Sequence, residues 1–401
     1  MTTPAAKVLI VDDSALQRRV VSDTLREAGY QVDVASNGDE GLSLATAWHP
    51  DAIILDVVMP GMSGYQVCRA LRQEKTTAHV PVIMLTTKGG IEAKVAGFEA
   101  GADDYLVKPV DTTELLVRLK VMLRRAQQAD YAVTHTGQLI VVFSLRGGVG
   151  VTSLAVNLAV TLAGLWNTDV PLLDLALTMG QVALMFNTKP KTGIEDLAQR
   201  EQSELDDAAV ESALYRHPTG VRILPAPMHP EDAETISGTH VNSILPVVRD
   251  HYPHILADLA SDFQEVTLTA LDHADRVLLV LAPELASVRA AVAALDTFDS
   301  LGYPKEKVRL VLNWTFERRG LAQKAIESAL HRPMDLVIPF APEVFVASLN
   351  QGVPLVLGYP DSGVTSLIED FAFRLTRPSQ LPGPGEQMTP MLARVRERLG
   401  E

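Results

Sequence analysis

The sequence has little cysteine and no long apolar run, and both shortages exclude classes of protein. Cys68 is the single cysteine of 401 residues, so no internal disulfide framework can form and a reducing compartment is favoured. No run approaches the roughly 20 apolar residues that a membrane-spanning helix requires. The first residues also lack the apolar stretch of a secretory signal. We therefore expect a soluble, cytoplasmic protein, with at most peripheral recruitment to a membrane-bound assembly or a cell pole.

Basic residues are scarce as well. The chain has 35 Lys and Arg against 49 Asp and Glu, a net charge of −14, and most of the acidic excess lies in residues 128–401. Such a surface repels nucleic-acid phosphates, and no helix-turn-helix pattern or basic recognition helix occurs there. The ten histidines show no metal-ligand spacing. We expect no specific nucleic-acid partner and no histidine-bound metal.

Two series of alternating strand and helix patterns follow one another along the chain. Short apolar runs of the kind that form buried parallel strands alternate with helical periodicity in both series. This order predicts an α/β protein with two doubly wound parallel sheets. The predicted strands lie at 7–11, 52–56, 81–85 and 104–107 in the first series, and at 138–144, 170–176, 254–260, 275–282 and 307–313 in the second.

The stretches between and after the two series mark the expected boundaries. The first domain is expected at 1–127, a linker at 128–137, the second domain at 138–377, and a Pro/Gly-rich tether with a short amphipathic helix at 378–401. The terminal helix, at 388–400, either docks on a partner or an acidic membrane surface, or packs on its own chain or is disordered.

Acidic and phosphate-binding side chains follow the strands of the first series. Asp12 and Asp13 come after the first strand, Asp56 ends another, and Thr86 and Lys108 follow two more. Because the carboxyl ends of parallel strands meet at one edge, these side chains are expected to converge. Three carboxylates make an oxygen site suited to Mg²⁺, and a lysine with a hydroxyl suits a phosphoryl group.

The motifs VLIVDDS, ILDVVMPGMSG, MLTTKG and DYLVKP resemble the signature of response-regulator receiver domains with a CheY-like fold. The resemblance implies phosphoryl transfer by positioning and charge neutralisation, from a sensor histidine kinase or a small phosphodonor. The aliphatic Val58 side chain cannot orient an attacking water, which predicts a long-lived phosphoryl-aspartate. The implied roles are Asp56 as phosphoacceptor, Asp12, Asp13, Asp56 and the Val58 backbone carbonyl as Mg²⁺ ligands, Thr86 and Lys108 as phosphoryl-binding groups, and Tyr105 as an aromatic switch.

The second series opens on SLRGGVGVTS, residues 144–153, a Gly-rich turn between a strand and a helix. Gly147, Gly148 and Gly150 let backbone N–H groups wrap phosphates, and a helix N-terminus favours anions. A Walker A loop ends in Gly-Lys-Ser/Thr, whereas Val151 stands here in the place of the lysine. The turn therefore keeps the shape of a phosphate-binding loop without its main charge.

The region resembles the deviant Walker ATPases of the ParA/MinD class, which have a P-loop NTPase-like fold. Arg146 replaces the first lysine of their loop, and Ala176 replaces an acidic residue of their switch I strand. We expect little or no hydrolysis, because losing one charged phosphate contact typically costs about two orders of magnitude. Weak ATP binding and a structural relic both remain open. The implied nucleotide and Mg²⁺ residues are Arg146, Gly147, Gly148, Gly150, Thr152, Ser153, Asp174, Asp258 and Asn313.

A receiver followed by a degenerate ParA/MinD-like domain resembles pilus-assembly proteins of the CpaE/TadZ type. The resemblance implies a homodimerising localisation or assembly factor for a pilus or secretion system. This chain departs from that family in having an intact receiver beside an impaired ATPase, which favours phosphorylation of Asp56 as the control input, without enzymatic turnover beyond its own phosphoryl transfer. Segments 238–246 and 348–358 are apolar enough for a dimer interface, with ordinary core packing as the alternative. Two other functions remain: a working ParA/MinD-type ATPase with receiver input, and a DNA-binding transcriptional response regulator.

Overall fold

The chain divides into two compact units, Met1–Tyr131 and Ala132–Glu401, each considered by itself. The computed structural model describes residues 6–86, 97–123 apart from 98, 111, 113, 117 and 121, then 137–200, 204–376 and 388–400. The predicted linker, except Gly137, and the predicted tether up to residue 387 lie outside the described residues. No helix among the described residues is long and apolar enough to cross a membrane.

The first unit is built on a five-stranded sheet in the order β2-β1-β3-β4-β5, with every described pair of strands parallel. This is the flavodoxin-like order of doubly wound folds, so the predicted architecture is confirmed. The strands are β1 (Lys7–Val11), β2 (Gln31–Ala35), β3 (Ala52–Asp56), β4 (Val82–Thr86) and β5 (Asp104–Val107), and the helices with described bounds are α1 (Ala15–Glu27), α2 (Gly38–Trp48) and α3 (Gly64–Gln73).

Both faces of this sheet are covered, which explains the continuous apolar runs. Leu9 and Val11 of β1 pack into a cluster on one face, and Val8 and Ile10 pack into a cluster on the other. Alternate side chains of a strand point to opposite faces. A strand buried on both faces therefore has no polar positions except at its ends. Cys68 of α3 lies in the first of these clusters and is buried.

The second unit is built on an eight-stranded sheet in the order β13-β12-β11-β6-β10-β7-β9-β8. Only the pairing of β8 with β9 is antiparallel among the described pairs. The predicted second doubly wound sheet is thereby confirmed. Its strands are β6 (Gln138–Phe143), β7 (Val170–Leu175), β8 (Tyr215–Arg216), β9 (Val221–Leu224), β10 (His254–Leu259), β11 (Arg276–Leu281), β12 (Val308–Asn313) and β13 (Leu336–Ile338).

Helices cover both faces of this sheet, and the helix after β6 is buried along most of its length. Val141 and Phe143 of β6 face one cluster and Ile140 and Val142 face the other, so β6 lies at the centre of the unit. The helices are α4 (Val151–Trp166), α5 (Val182–Met185), α6 (Ile194–Ala198), α7 (Asp207–Ala213), α8 (Gly238–His251), α9 (Glu265–His273), α10 (Leu285–Ser300), α11 (Gln323–Leu330), α12 (Pro342–Gln351), α13 (Leu355–Gly358), α14 (Gly363–Leu375) and α15 (Pro390–Leu399).

The predicted terminal helix is present as α15, and its apolar side is covered by its own chain. Leu392 and Val395 are fully buried in the cluster that contains α4. Arg394 and Arg398 both contact the buried carboxylate of Glu369 in α14. Of the alternatives left open for this helix, packing on its own chain is the one that the structure supports, because its apolar side is already covered.

The two segments considered for a dimer interface differ in burial. Segment 238–246 lies in α8, where Val241, Ile244 and Leu245 are buried in the core. Ordinary core packing accounts for this segment. Segment 348–358 spans the end of α12 and all of α13, and Leu349, Val353 and Leu357 are exposed there.

Candidate functional site

Lys108 lies between two carboxylates at the carboxyl edge of the five-stranded sheet. Its Nζ is 2.7 Å from Oδ2 of Asp12 and 3.0 Å from Oδ2 of Asp56. All three side chains are almost fully buried. The structure therefore brings together residues from the ends of β1, β3 and β5 that are far apart in sequence, as expected for parallel strands that end at one edge of a sheet.

Asp13 completes an acidic group beside this lysine. Asp12, Asp13 and Asp56 each offer a carboxylate oxygen, and the three oxygens lie within 4.8 Å of one another. Hard oxygen ligands of this kind, with one exposed member, fit a hydrated divalent cation such as Mg²⁺. The residues present thus suit the metal that the sequence predicted.

The charges of this site shift one another's pKa values. Burial raises the pKa of Asp56, although the hydrogen bond and charge of Lys108 partly oppose this effect. Burial alone would lower the pKa of Lys108, but its hydrogen bonds to Asp12 and Asp56 and their charges outweigh burial and raise it. Lys108 therefore stays protonated at neutral pH. A bound cation beside it would lower the pKa of Asp56 and favour its ionised form.

The backbone around Asp56 is packed too closely for a larger residue. A Cβ on residue 64 would lie 2.2 Å from the backbone oxygen of Asp56, so Gly64 allows α3 to begin directly against the end of β3. The Val58 N–H points to Oδ1 of Asp56 at 3.4 Å, while the Val58 side chain is exposed. Gly64 was not singled out from the sequence, and the only signal was the motif that contains it.

Thr86 and Tyr105 lie on the neighbouring strands. Thr86 ends β4 and is buried, and Tyr105 of β5 is buried in the cluster that contains Met84. A Cβ on residue 97 would meet the Tyr105 ring at 3.4 Å, so the ring packs against Gly97. The tyrosine predicted as a switch thus occupies an inward position.

The Gly-rich loop of the second unit has the backbone of a phosphate-binding turn. Gly148 and Gly150 have φ values of 78° and 95°, in the left-handed region that favours glycine. A Cβ on residue 150 would lie 2.6 Å from Nδ2 of Asn313. That amide donates a hydrogen bond to the Val149 backbone oxygen at 2.9 Å, so Asn313 supports the loop itself.

Side chains of the loop do not replace the missing lysine. Val151 begins α4 and packs against the apolar cluster that contains Ile140 and Val142 of β6. The Arg146 Nε donates to Oε1 of Glu284 at 3.1 Å, and both side chains are partly exposed. Glu284 was not identified from the sequence as a partner of Arg146. It immediately precedes α10, and nothing in the sequence pattern there indicates a contact with the loop.

Two carboxylates lie side by side beneath the loop. Asp258 of β10 and Asp174 of β7 are register partners on adjacent strands, and both are buried. One oxygen of Asp174 accepts from the Val182 N–H at 3.0 Å, while its other oxygen and both oxygens of Asp258 have no hydrogen-bond partner within the described residues. Thr152 lies close enough to favour the ionised form of Asp258.

Burial raises the pKa of both of these aspartates, and the charge of Asp174 raises that of Asp258 further. A buried carboxylate pair with unused oxygens fits a cation, and the Thr152 hydroxyl adds an oxygen ligand. Of the other predicted nucleotide residues, Gly147 is exposed and Ser153 is half-buried at the start of α4, where its carbonyl accepts from Asn157. The predicted residues therefore surround one turn at the carboxyl edge of the sheet.

The sequence of the first unit matches known proteins closely. Residues 8–120 match the profile of the response regulator receiver domain family. The transcriptional regulatory protein ResD of Bacillus subtilis is 45% identical over 134 residues, 33% of this chain and 55% of ResD. The transcriptional regulator RpaA of Synechocystis is 43% identical over 130 residues, 32% of this chain and 54% of RpaA.

Residues 138–302 match the profile of the cellulose biosynthesis protein BcsQ. A ParA family ATPase from Chlorobium tepidum superposes with a TM-score of 0.56 at 22% identity, covering 59% of this chain and 98% of that one. The cell division ATPase MinD of Pyrococcus furiosus gives a TM-score of 0.52 at 24% identity, covering 59% and 97%. The first unit thus matches the receiver family over residues 8–120, and the second unit has the fold of ParA and MinD ATPases. We call them the receiver domain and, by its fold, the ParA/MinD-like domain.

The likeness of the ParA/MinD-like domain to solved structures concerns its fold, because the identities are low. The likeness of the receiver domain is higher but partial, since the chain spans about half the length of the curated relatives it matches. These matches cover about a third of this chain. The activities that those relatives carry in their unmatched residues are therefore not assigned to the ParA/MinD-like domain.

Proposed function

We propose that this chain is a phosphorylation-controlled response regulator whose ParA/MinD-like domain acts as a homodimerising assembly factor, with little or no ATP hydrolysis. The observation that carries the proposal is the contact of Lys108 with both Asp12 and Asp56, beside Asp13. A buried carboxylate held by a lysine, next to an acidic group that fits Mg²⁺, is equipped to accept a phosphoryl group and to neutralise its charge.

Asp56 is the proposed nucleophile. One of its carboxylate oxygens forms a bond to phosphorus while the donor's bond to phosphorus breaks, which is a P–N bond when the donor is a phosphohistidine of a kinase. Lys108 and Thr86 hold phosphoryl oxygens, and Asp12, Asp13 and the Val58 carbonyl would hold Mg²⁺. When bound, Mg²⁺ supplies positive charge to the phosphoryl oxygens and the carboxylates.

The proposed signal is a population shift within the receiver domain. A phosphoryl group on Asp56 gives Thr86, at the end of the next strand, a new hydrogen-bond acceptor. Movement of Thr86 changes the space beside Tyr105, which now packs inward against Gly97. The phosphorylated state then favours a different surface of the receiver domain.

The ParA/MinD-like domain is proposed to bind nucleotide weakly, without useful turnover. Thr152, Asp174 and Asp258 support a cation site beneath the loop. The loss of charge at Val151 and of a carboxylate at Ala176 supports slow chemistry, because both groups act on the transition state in the resembled class.

Exposed apolar side chains support self-association of this domain. Met179, Met228, Leu285 and Phe340 are all exposed, and each follows the carboxyl end of a parallel strand. They therefore lie at the same edge of the sheet as the Gly-rich loop. Large apolar groups gathered at one edge favour burial against a second surface, and we propose a second copy of this chain.

The proposed destination is a pilus or secretion assembly. The combination of a receiver with a degenerate ParA/MinD-like domain resembles pilus-assembly proteins of the CpaE/TadZ type, while the profile matched by residues 138–302 is named for cellulose biosynthesis. Purified assembly proteins of both kinds of system can be compared as binding partners of the phosphorylated chain. Binding to neither would contradict this part of the proposal.

The central experiment measures whether phosphorylation changes the oligomeric state. The full chain is treated with acetyl phosphate and Mg²⁺ and followed by sedimentation velocity, beside Asp56→Asn and the control Asp23→Asn, whose carboxylate is exposed on α1. We expect incorporation and a change in the monomer–dimer equilibrium in the wild type and the control, and neither in Asp56→Asn. Incorporation without a change in oligomeric state would contradict the proposed output.

A working ATPase with receiver input is the second candidate, favoured by the retained Thr152 and the buried pair Asp174 and Asp258. Turnover of Mg·ATP at a concentration that permits dimerisation separates the two functions. Steady hydrolysis that is lost in Asp258→Asn would favour the ATPase. Turnover no greater in the wild type than in that variant would favour the scaffold.

A further inference from the structure

The Gly-rich loop contains a single basic side chain, Arg146, and this side chain already has a carboxylate partner. Its Nε lies 3.1 Å from Oε1 of Glu284. Glu284 immediately precedes α10, at the end of β11, which is the strand beside β6. The cationic side chain of the loop is therefore engaged by an anion of the same domain.

Both ends of this ion pair are held by their backbones. The Arg146 N–H donates to Oγ of Ser144 at 3.1 Å. The Glu284 N–H donates to the Ala282 oxygen at 2.8 Å, and the buried Ser287 hydroxyl accepts from the Ala282 N–H. The contact between the side chains therefore starts from two fixed positions, and a small rotation of either side chain makes or breaks it.

A guanidinium that donates to Glu284 through Nε cannot present the same edge to a phosphate oxygen. We propose that Glu284 is a positioning residue that competes with phosphate oxygens for Arg146 and so lowers the affinity of the loop for nucleotide. The inference rests on the proposed weak nucleotide binding by this domain, and it adds Glu284 as the residue that sets how weak the binding is.

The expected effect is small, because both side chains are partly exposed. Their side chains are 51% and 38% exposed, and ion pairs of this kind contribute little in water. Removing the Glu284 charge frees the Arg146 guanidinium to donate to a phosphate oxygen. We expect Glu284→Gln to strengthen nucleotide binding between about twofold and about fivefold.

The experiment is a double-mutant cycle on the full chain, read by isothermal titration calorimetry. The probe is the non-hydrolysable ATP analogue adenylyl imidodiphosphate with Mg²⁺. The proteins are the wild type, Glu284→Gln, Arg146→Gln and the double variant, with Glu306→Gln as a control that removes the same charge before β12, at the opposite edge of the sheet. We expect Glu284→Gln to bind more tightly, the control to match the wild type, and Glu284→Gln to gain nothing when Arg146 is already replaced.

The same four proteins of the cycle are also compared in a Val151→Lys background, where nucleotide binding is expected to be strong enough to measure accurately. If that background binds the analogue and Glu284→Gln changes nothing, the competition is disproved while weak nucleotide binding stands. If Glu284→Gln helps equally with and without Arg146, Glu284 acts by direct repulsion and the competition is again disproved. If no protein of either background binds the analogue, proposed nucleotide binding fails, and the role of Glu284 fails with it.

Discussion

The ammonium group of Lys108 lies 3.0 Å from the carboxylate of Asp56, and the same nitrogen contacts Asp12 on the end of β1. The lysine thus screens two buried carboxylates from each other. Such a site is held in place before any ligand arrives, which lowers the cost of organising it during phosphoryl transfer.

Replacing Lys108 with methionine should destabilise the receiver domain. The variant leaves two buried carboxylates without their cation, and breaking a buried pair typically costs about 3 to 5 kcal/mol. Mg²⁺ should restore part of this loss, because it supplies charge to the same oxygens. Hydrogen exchange of β1 and β3 amides in a urea series, with and without Mg²⁺, measures both effects. Equal stability of the variant and the wild type in metal-free buffer would contradict the prediction.

Phosphorylated Asp56 should be long-lived, because the Val58 side chain has no group to orient an attacking water. Val58→Asn should shorten the lifetime several-fold, since its amide can position that water. The decay of acid-labile phosphate after removal of acetyl phosphate gives both rates, with Val107→Asn as a matched control on another exposed valine. A wild-type lifetime of seconds would show that Val58 does not protect the phosphoryl group.

The doubly wound sheet and the convergence of the receiver residues follow from the sequence because these residues lie at strand ends. The runs at 7–11 and 52–56 coincide with β1 and β3, and parallel strands bring Asp12 and Asp56 to one edge. Strand β2 gave no such signal, because it lies at the edge of the sheet and most of its residues are partly exposed. Strands are therefore recognised from the sequence where burial on both faces makes them continuously apolar. An edge strand such as β2 keeps polar residues and is missed.

The burial of charged side chains within helices and strands was not predicted from the sequence. Arg222 interrupts the apolar pattern of β9, yet it is buried because it pairs with Asp169. Glu369 is buried in α14 because two arginines of α15 contact it. Neither burial can be inferred from a charged residue alone, since a charge enters a core only with its partner, and the partner is set by the fold.

Replacing Val151 with lysine should raise the affinity of the ParA/MinD-like domain for Mg·ATP by about two orders of magnitude, because it restores a charged phosphate contact. Hydrolysis should stay slow, since Ala176 still lacks a carboxylate. Calorimetry gives the affinity and phosphate release gives the turnover, with Val151→Ala as the control for lost packing. Unchanged affinity in Val151→Lys would mean that the loop is a structural relic.

The ParA/MinD-like domain should lose stability as the pH rises from about 4 to about 7 in metal-free buffer. Burial raises the pKa of Asp174 from its ordinary value of 3.8 to about 7, so the folded domain retains a proton that the unfolded chain releases. The protonated folded form is fully stable below the lower value and is penalised as the pH approaches the higher one. Burial and the charge of Asp174 also raise the pKa of Asp258, so Asp258→Asn removes one of the two carboxyls that lose stability on ionisation and should flatten the dependence. Hydrogen exchange of β7 and β10 amides over this range measures it, and a slope of opposite sign would contradict the assignment.

The terminal helix α15 should be an integral part of the ParA/MinD-like domain. Replacing Arg394 and Arg398 together with alanine leaves the Glu369 carboxylate buried and unpaired, which should destabilise the domain by about 3 kcal/mol or more. Adding Glu369→Gln should recover much of this loss, since a neutral amide tolerates burial better than a charge. Urea denaturation read at α4, which α15 contacts through Thr389 and the Leu165 carbonyl, tests the order of the three proteins. If the double arginine variant is as stable as the wild type, apolar residues alone hold the helix. If Glu369→Gln restores no stability to that variant, the loss comes from packing and not from the buried charge.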